Sequence, residues 1–236
     1  MCRDELSRIY EIRDVAVSSG APDAYLGRLG DASEEHPLAL KHLRDWEKEL
    51  QGLDDAAWSH LKGKIRPLIV GRLPGRGWQP LFDKLNEAKA YNYLLREGCT
   101  NVHFVPEQPK GGLRTPDLEG DSPDNKVLCE VKTINTSDKE IKRRRDSSVF
   151  SISNKIDLRV LAKLDKNIAE ARDQMCSYDV SGVARHVVYV VVNFDDHLHS
   201  YAHEYRDQIA QHIDAHPVSG VEIYLDIKPP FYSAIA

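Results

Sequence analysis

The sequence predicts an α/β fold: a central mixed β-sheet flanked by helices, with a helical extension on its N-terminal side. Three observations carry that reading. Two strand-like stretches, one running to Gly120 and one from Lys126 to Ile134, enclose a turn of Asp, Ser, Pro and Asn residues between Asp121 and Asn125, which is the make-up of a β-hairpin. Residues 185–194 (RHVVYVVVNF) are nearly all apolar, as a central strand covered on both faces requires. The strand–helix–strand order from 185 to 227 predicts a parallel crossover on the same sheet.

The elements follow in order. Residues 3–17 place Leu6, Ile9 and Ile12 on a helix that stops at Ser18, Ser19 and Gly20, and a short helix is expected within 21–30. From Pro37 to Leu50, Leu40, Leu43, Trp46 and Leu50 form one apolar stripe. Asp54 or Asp55 caps a further helix that carries Trp58, Leu61 and Ile65. The Gly- and Pro-rich joint that follows contains Arg66, Arg72, Arg76 and Trp78 and reads as a linker. The boundary is therefore set there, with residues 1–79 as the helical extension and 80–236 as the core. A helix from Pro80 ends at the glycine stop Gly98, and 101–107 is a first strand leading into the hairpin. Residues 154–178 are a long amphipathic helix on Ile156, Val160, Leu164, Ile168, Ala171 and Met175. A last helix over 201–213 precedes a closing strand over 221–227.

Composition narrows the function classes. With 236 residues, 41% of them hydrophobic, the chain can bury a sizeable core. A net charge of -5 argues against a purely electrostatic nucleic-acid coat protein and leaves any such binding to local patches. The four cysteines, Cys2, Cys99, Cys129 and Cys176, contain no CxxC pair and read as reduced thiols. The N-terminus opens with charges, and no run approaches the roughly 18 apolar residues of a membrane span, so a cytoplasmic protein without a membrane partner is expected.

The chemistry is concentrated in the hairpin. Side chains alternate along a strand, so Glu130 and Lys132 project to one side together with Leu128 and Ile134, while Val127, Cys129 and Val131 take the other. Asp117 sits near the end of the neighbouring strand, so two carboxylates and an ammonium converge on one patch. Burying such a group unpaired is costly, and a hard divalent cation such as Mg2+, held by one or two carboxylates and waters, satisfies it. The bland alternative is a solvated hairpin with surface charges; the shared face with Leu128 and Ile134 argues against it.

These residues resemble the PD-(D/E)xK nuclease superfamily, with Pro116-Asp117 followed by Glu130-Val131-Lys132. The resemblance implies a restriction-endonuclease-like core acting on nucleic acid, DNA in the first instance, with Mg2+ or Mn2+. It implies metal ligation by Asp117 and Glu130, with the Val131 carbonyl as a further ligand, and water activation or positioning by Lys132. It also implies a helix-borne acid before the hairpin, which Glu87 fits. In its RecB-like branch a later helix carries Gln-x-x-x-Tyr, matched here by Gln174 and Tyr178. The basic run Lys142, Arg143, Arg144 and Arg145 follows the Glu-x-Lys strand and would neutralise phosphates there.

Two other readings stay open. One is a non-catalytic nucleic-acid-binding or scaffold module on the same fold. The other is a zinc or transition-metal site built from His197, His199 and His203 with Asp195 or Asp196, near His212 and His216.

Overall fold

The computed structural model of the protein describes residues 3–20, 37–69, 78–107, 114–135, 146, 153–193 and 201–228. The short helix expected within 21–30, Arg72 and Arg76, the basic residues 142–145, and Asp195, Asp196, His197 and His199 lie outside them. The chain divides into two compact units, the first up to Tyr93 and the second from Leu94.

The first unit is helical. A 3-10 turn, Arg3–Leu6, leads into α1, Ser7–Ser18; α2 is Pro37–Gln51, α3 is Asp55–Ile65, and α4, Gln79–Arg96, carries the chain across into the second unit. The stripe expected on α2 is the buried one: Leu43, Trp46 and Leu50 are in the core, and Trp46 packs against Phe82 of α4 with ring centroids 6.4 Å apart. Asp54 caps α3, its Oδ1 accepting from the Ala57 amide at 2.7 Å. Asn92 of α4 ties the same helices together by donating to the Glu49 carbonyl at 2.7 Å, and it occupies the space a side chain at Gly52 would need.

The start of α1 has no cap from its own sequence. Its donors are taken by Glu47 of α2, buried to 4% exposure, which accepts from the Arg8 amide at 3.0 Å and the Ile9 amide at 2.9 Å, while Gln51 donates to the same carboxylate at 2.6 Å. A carboxylate here meets both the orphan amides and the positive end of the helix dipole. Glu47→Ala is expected to lower the unfolding free energy by about 2–3 kcal/mol, because buried amides lose a charged acceptor. Urea denaturation checks this; a loss near zero would show that water takes over the cap.

The second unit is a five-stranded mixed sheet with strand order β1-β2-β3-β4-β5. The strands are β1, Thr100–Phe104; β2, Leu118–Asp121; β3, Lys126–Ile134; β4, Arg185–Asn193; and β5, Glu222–Lys228. β1, β2 and β3 form an antiparallel meander, whereas β3, β4 and β5 run parallel. Two helices supply the crossovers that parallel pairs require: α5, Leu158–Tyr178, between β3 and β4, and α6, Ala202–Ala215, between β4 and β5.

Both helices pack on one face of the sheet. Leu164, Ile168 and Met175 of α5 and Tyr205 and Ile209 of α6 meet Leu128 and Ile134 of β3 and Val188, Val190 and Val192 of β4. The face read from the sequence as carrying Glu130 and Lys132 is thus the face under α5. That helix begins at Leu158, four residues later than the apolar period suggests, because Asp157 is its cap and accepts from the Arg159 amide at 2.8 Å. The hairpin turn spans 122–125, closed by the Ser122 amide donating to the Asn125 carbonyl at 2.8 Å. Among the described residues no helix is long and apolar enough to cross a membrane.

Candidate active site

The site is built where β2 stops and β3 continues. Leu118 pairs with Cys129, so the same antiparallel register sets Asp117 opposite Glu130 and Pro116 opposite Val131. Proline has no amide to donate, and β2 ends short of it. Asp117 therefore lies one residue outside the strand, next to its first residue, Leu118. Its side chain replaces the missing ladder: Oδ2 accepts from the Val131 amide at 2.9 Å. In extended backbone the N–H and C=O of one residue point to the same edge, so the Val131 carbonyl faces the side on which Asp117 sits.

Glu130 is the buried centre of the cluster, 5% exposed. Its Oε1 accepts from Lys132 Nζ at 2.7 Å and its Oε2 from Gln174 Nε2 of α5 at 2.8 Å. The same Gln174 nitrogen donates to the Thr115 carbonyl at 2.7 Å, which ties the approach to β2 to the helix. Burial, and then the facing Asp117 carboxylate, push the Glu130 carboxyl up to about 7; Lys132 opposes both. A buried acid that faces a second carboxylate, with one ammonium beside it, is a site short of positive charge.

The structure brings together Asp117, Glu130, Lys132 and Gln174, with the Val131 amide among them. Tyr178 lies one turn further along α5 and faces Glu119 of β2; burial and that carboxylate hold its hydroxyl above the usual tyrosine range. Glu119 in turn pairs with Lys126. Glu87 belongs to α4 in the first unit, where it is buried and paired with Lys84 one turn away.

The donor set fits a hard cation. It consists of oxygens, two carboxylates in register and one carbonyl edge, without a thiol or imidazole among the contacts. Among the described residues no group of three or more His, Cys, Asp or Glu side chains could hold a metal ion, and a Mg2+ site of two carboxylates completed by waters does not need one. Of the histidines in the alternative metal reading, His212 is bonded to Asp165 at 2.8 Å and packs against His216 with ring centroids 4.3 Å apart and the rings tilted by 31°.

Compared with protein-family models, curated proteins and solved structures, the chain matches none.

Sequence reasoning missed Thr115, whose carbonyl is a contact no residue type advertises. It also missed that Pro116 matters through its absent amide. The signal for the second was present, because proline at a strand end reads as a stop.

Proposed function

We propose that the second unit is a metal-dependent nuclease of the restriction-endonuclease-like kind, hydrolysing phosphodiester bonds of DNA. The observation that carries this reading is Glu130: a buried carboxylate facing the Asp117 carboxylate, with Lys132 on one oxygen and Gln174 on the other. The element order around it, helix, strand, hairpin, long helix and strand, supports the same reading.

Asp117, Glu130 and the Val131 carbonyl would hold Mg2+ or Mn2+. When bound, the ion lowers the pKa of its water and balances the charge that builds on the phosphoryl oxygens. Lys132, bonded to Glu130 at 2.7 Å, would hydrogen-bond the attacking water and hold it toward the phosphorus. Gln174 fixes the rotamer of Glu130 through its second oxygen, so the carboxylate keeps its direction when Lys132 moves. Residues 142–145, from the sequence, would meet the phosphate backbone next to the cleaved bond.

Gln174→Ala is expected to reduce cleavage about 10- to 100-fold without eliminating it, since it removes an orienting contact and not a ligand. The reading itself is tested by incubating labelled duplex and single-stranded DNA with wild type and Asp117→Ala in Mg2+. Loss of cutting in the folded variant supports it. A wild type that binds DNA but never cuts it, with either ion, points to a non-catalytic binding module.

A further inference from the structure

Away from the carboxylate cluster, three side chains at the C-terminal end of α5 form a second chemical group. Cys176 is exposed on the last turn of the helix, and its Sγ lies 3.9 Å from Nδ1 of His186, the second residue of β4. The imidazole is buried, 8% exposed, and its Nε2 has no hydrogen-bond partner. Among the described residues, the carboxylate oxygen that approaches that nitrogen is Asp179 Oδ2, 3.4 Å away.

Asp179 is itself locked by the loop that joins α5 to β4. Its Oδ1 accepts from the Ser181 hydroxyl at 2.6 Å and the Gly182 amide at 3.1 Å, and its Oδ2 from the Ala184 amide at 2.9 Å. Gly182 permits this turn, with φ +67, a conformation that residues with a Cβ rarely adopt. The Ser181 bond and these amides hold the Asp179 carboxyl below the usual range, so it is an anion. Arg185, the charged neighbour of His186, is committed to Glu222 at 2.6 Å, with Glu97 at 3.9 Å.

The order thiol, imidazole, carboxylate is the arrangement that activates a nucleophile: the base lies within reach of the nucleophile and a third group orients the base. Asp179 Oδ2 faces Nε2, so the carboxylate favours the tautomer with the proton on that nitrogen, and Nδ1 is then the acceptor facing the sulfur. Cys99 and Cys129 present the opposite case, buried thiols that desolvation pushes up and makes inert.

We propose that Cys176 is a reactive thiol that forms mixed disulfides with small-molecule disulfides, with His186 as its proton acceptor and Asp179 as the group that orients His186. The thiol proton passes to Nδ1 as the sulfur attacks one sulfur of the incoming disulfide. The S–S bond breaks, and the departing thiolate takes the proton from the imidazolium. One thiol and one disulfide thus give one mixed disulfide and one free thiol. This assignment is independent of the nuclease reading.

The test uses the full chain carrying Cys2→Ser, with oxidised glutathione as the probe at pH 6.5, where an ordinary cysteine is only about 1% ionised. Mass spectrometry of the peptide containing Cys176 gives its rate in the folded protein and in the same chain unfolded in urea. The folded rate is expected to exceed the unfolded rate by about ten-fold or more. His186→Gln should bring the folded rate down to that of the unfolded chain. Equal rates in folded and unfolded wild type would overturn the proposal, as would a folded His186→Gln that reacts at the wild-type rate. Should His186→Gln not fold, the wild-type comparison decides alone.

Discussion

Alanine at Lys132 is expected to lower Mg2+-dependent DNA cleavage by about a thousand-fold, within the range carried by a group that positions or deprotonates the attacking water. The expectation follows from geometry: Nζ stands 2.7 Å from Glu130 Oε1, on a side chain that is 20% exposed. The same substitution leaves Glu130 without its cation, so folding is checked independently by circular dichroism and by a thermal melt. A folded Lys132→Ala protein that cuts at the wild-type rate would remove Lys132 from the mechanism. Asp117→Ala should be at least as damaging, because it removes a proposed ligand and the partner of the Val131 amide together.

The second large effect concerns stability. Glu130→Gln is expected to make the metal-free protein more stable at pH 8 while abolishing cleavage. The sign follows from linkage. The folded carboxyl titrates at about 7 and the unfolded one near 4.5, so between these values the folded state binds more protons. Stability therefore falls as pH rises through that window, and the penalty is complete above it. Its size is on the order of 3 kcal/mol, an amount worth several degrees in melting temperature. Glutamine cannot ionise, so the variant should lose this slope. Mg2+ should raise the melting temperature of wild type at pH 8 and leave Glu130→Gln unmoved. Melts across pH 5–8, with and without Mg2+, read all of this. A flat wild-type profile would mean that Glu130 is not the strained acid described here.

What the sequence made legible was local. Alternation along Lys126–Ile134 put Glu130 and Lys132 on one face with Leu128, and the Asp, Ser, Pro and Asn residues between Asp121 and Asn125 announced the turn. The nearly continuous apolar run at 185–194 announced a central strand, and β4 lies between β3 and β5. The rest depends on contacts across the chain. Gln174 reaches Glu130 from 44 residues away, a pairing that period and propensity do not encode. Tyr178, four residues on, shares its helix face yet meets Glu119, because one turn of helix advances it to the next residue pair of the hairpin.

Glu47 is a similar case. Within α2 it is one more charged residue beside the apolar stripe, and its task is set by the uncapped start of α1, 39 residues earlier at Arg8. Asp117 shows how a motif departs from its local reading: the strand ends before it because Pro116 has no amide for the next pair, so its carboxylate turns to the Val131 amide. That displacement leaves the acid on the open edge of β3.

The most direct test of the central claim is cleavage of supercoiled plasmid, linear duplex and single-stranded DNA by the wild-type protein, each with Mg2+, with Mn2+ and with EDTA, alongside Lys132→Ala. Cutting of at least one of these DNAs is expected with either divalent ion, none in EDTA, and about a thousand-fold less by the folded variant. Folded wild-type protein that leaves all three DNAs intact with both ions, or cutting that persists in EDTA, would contradict it.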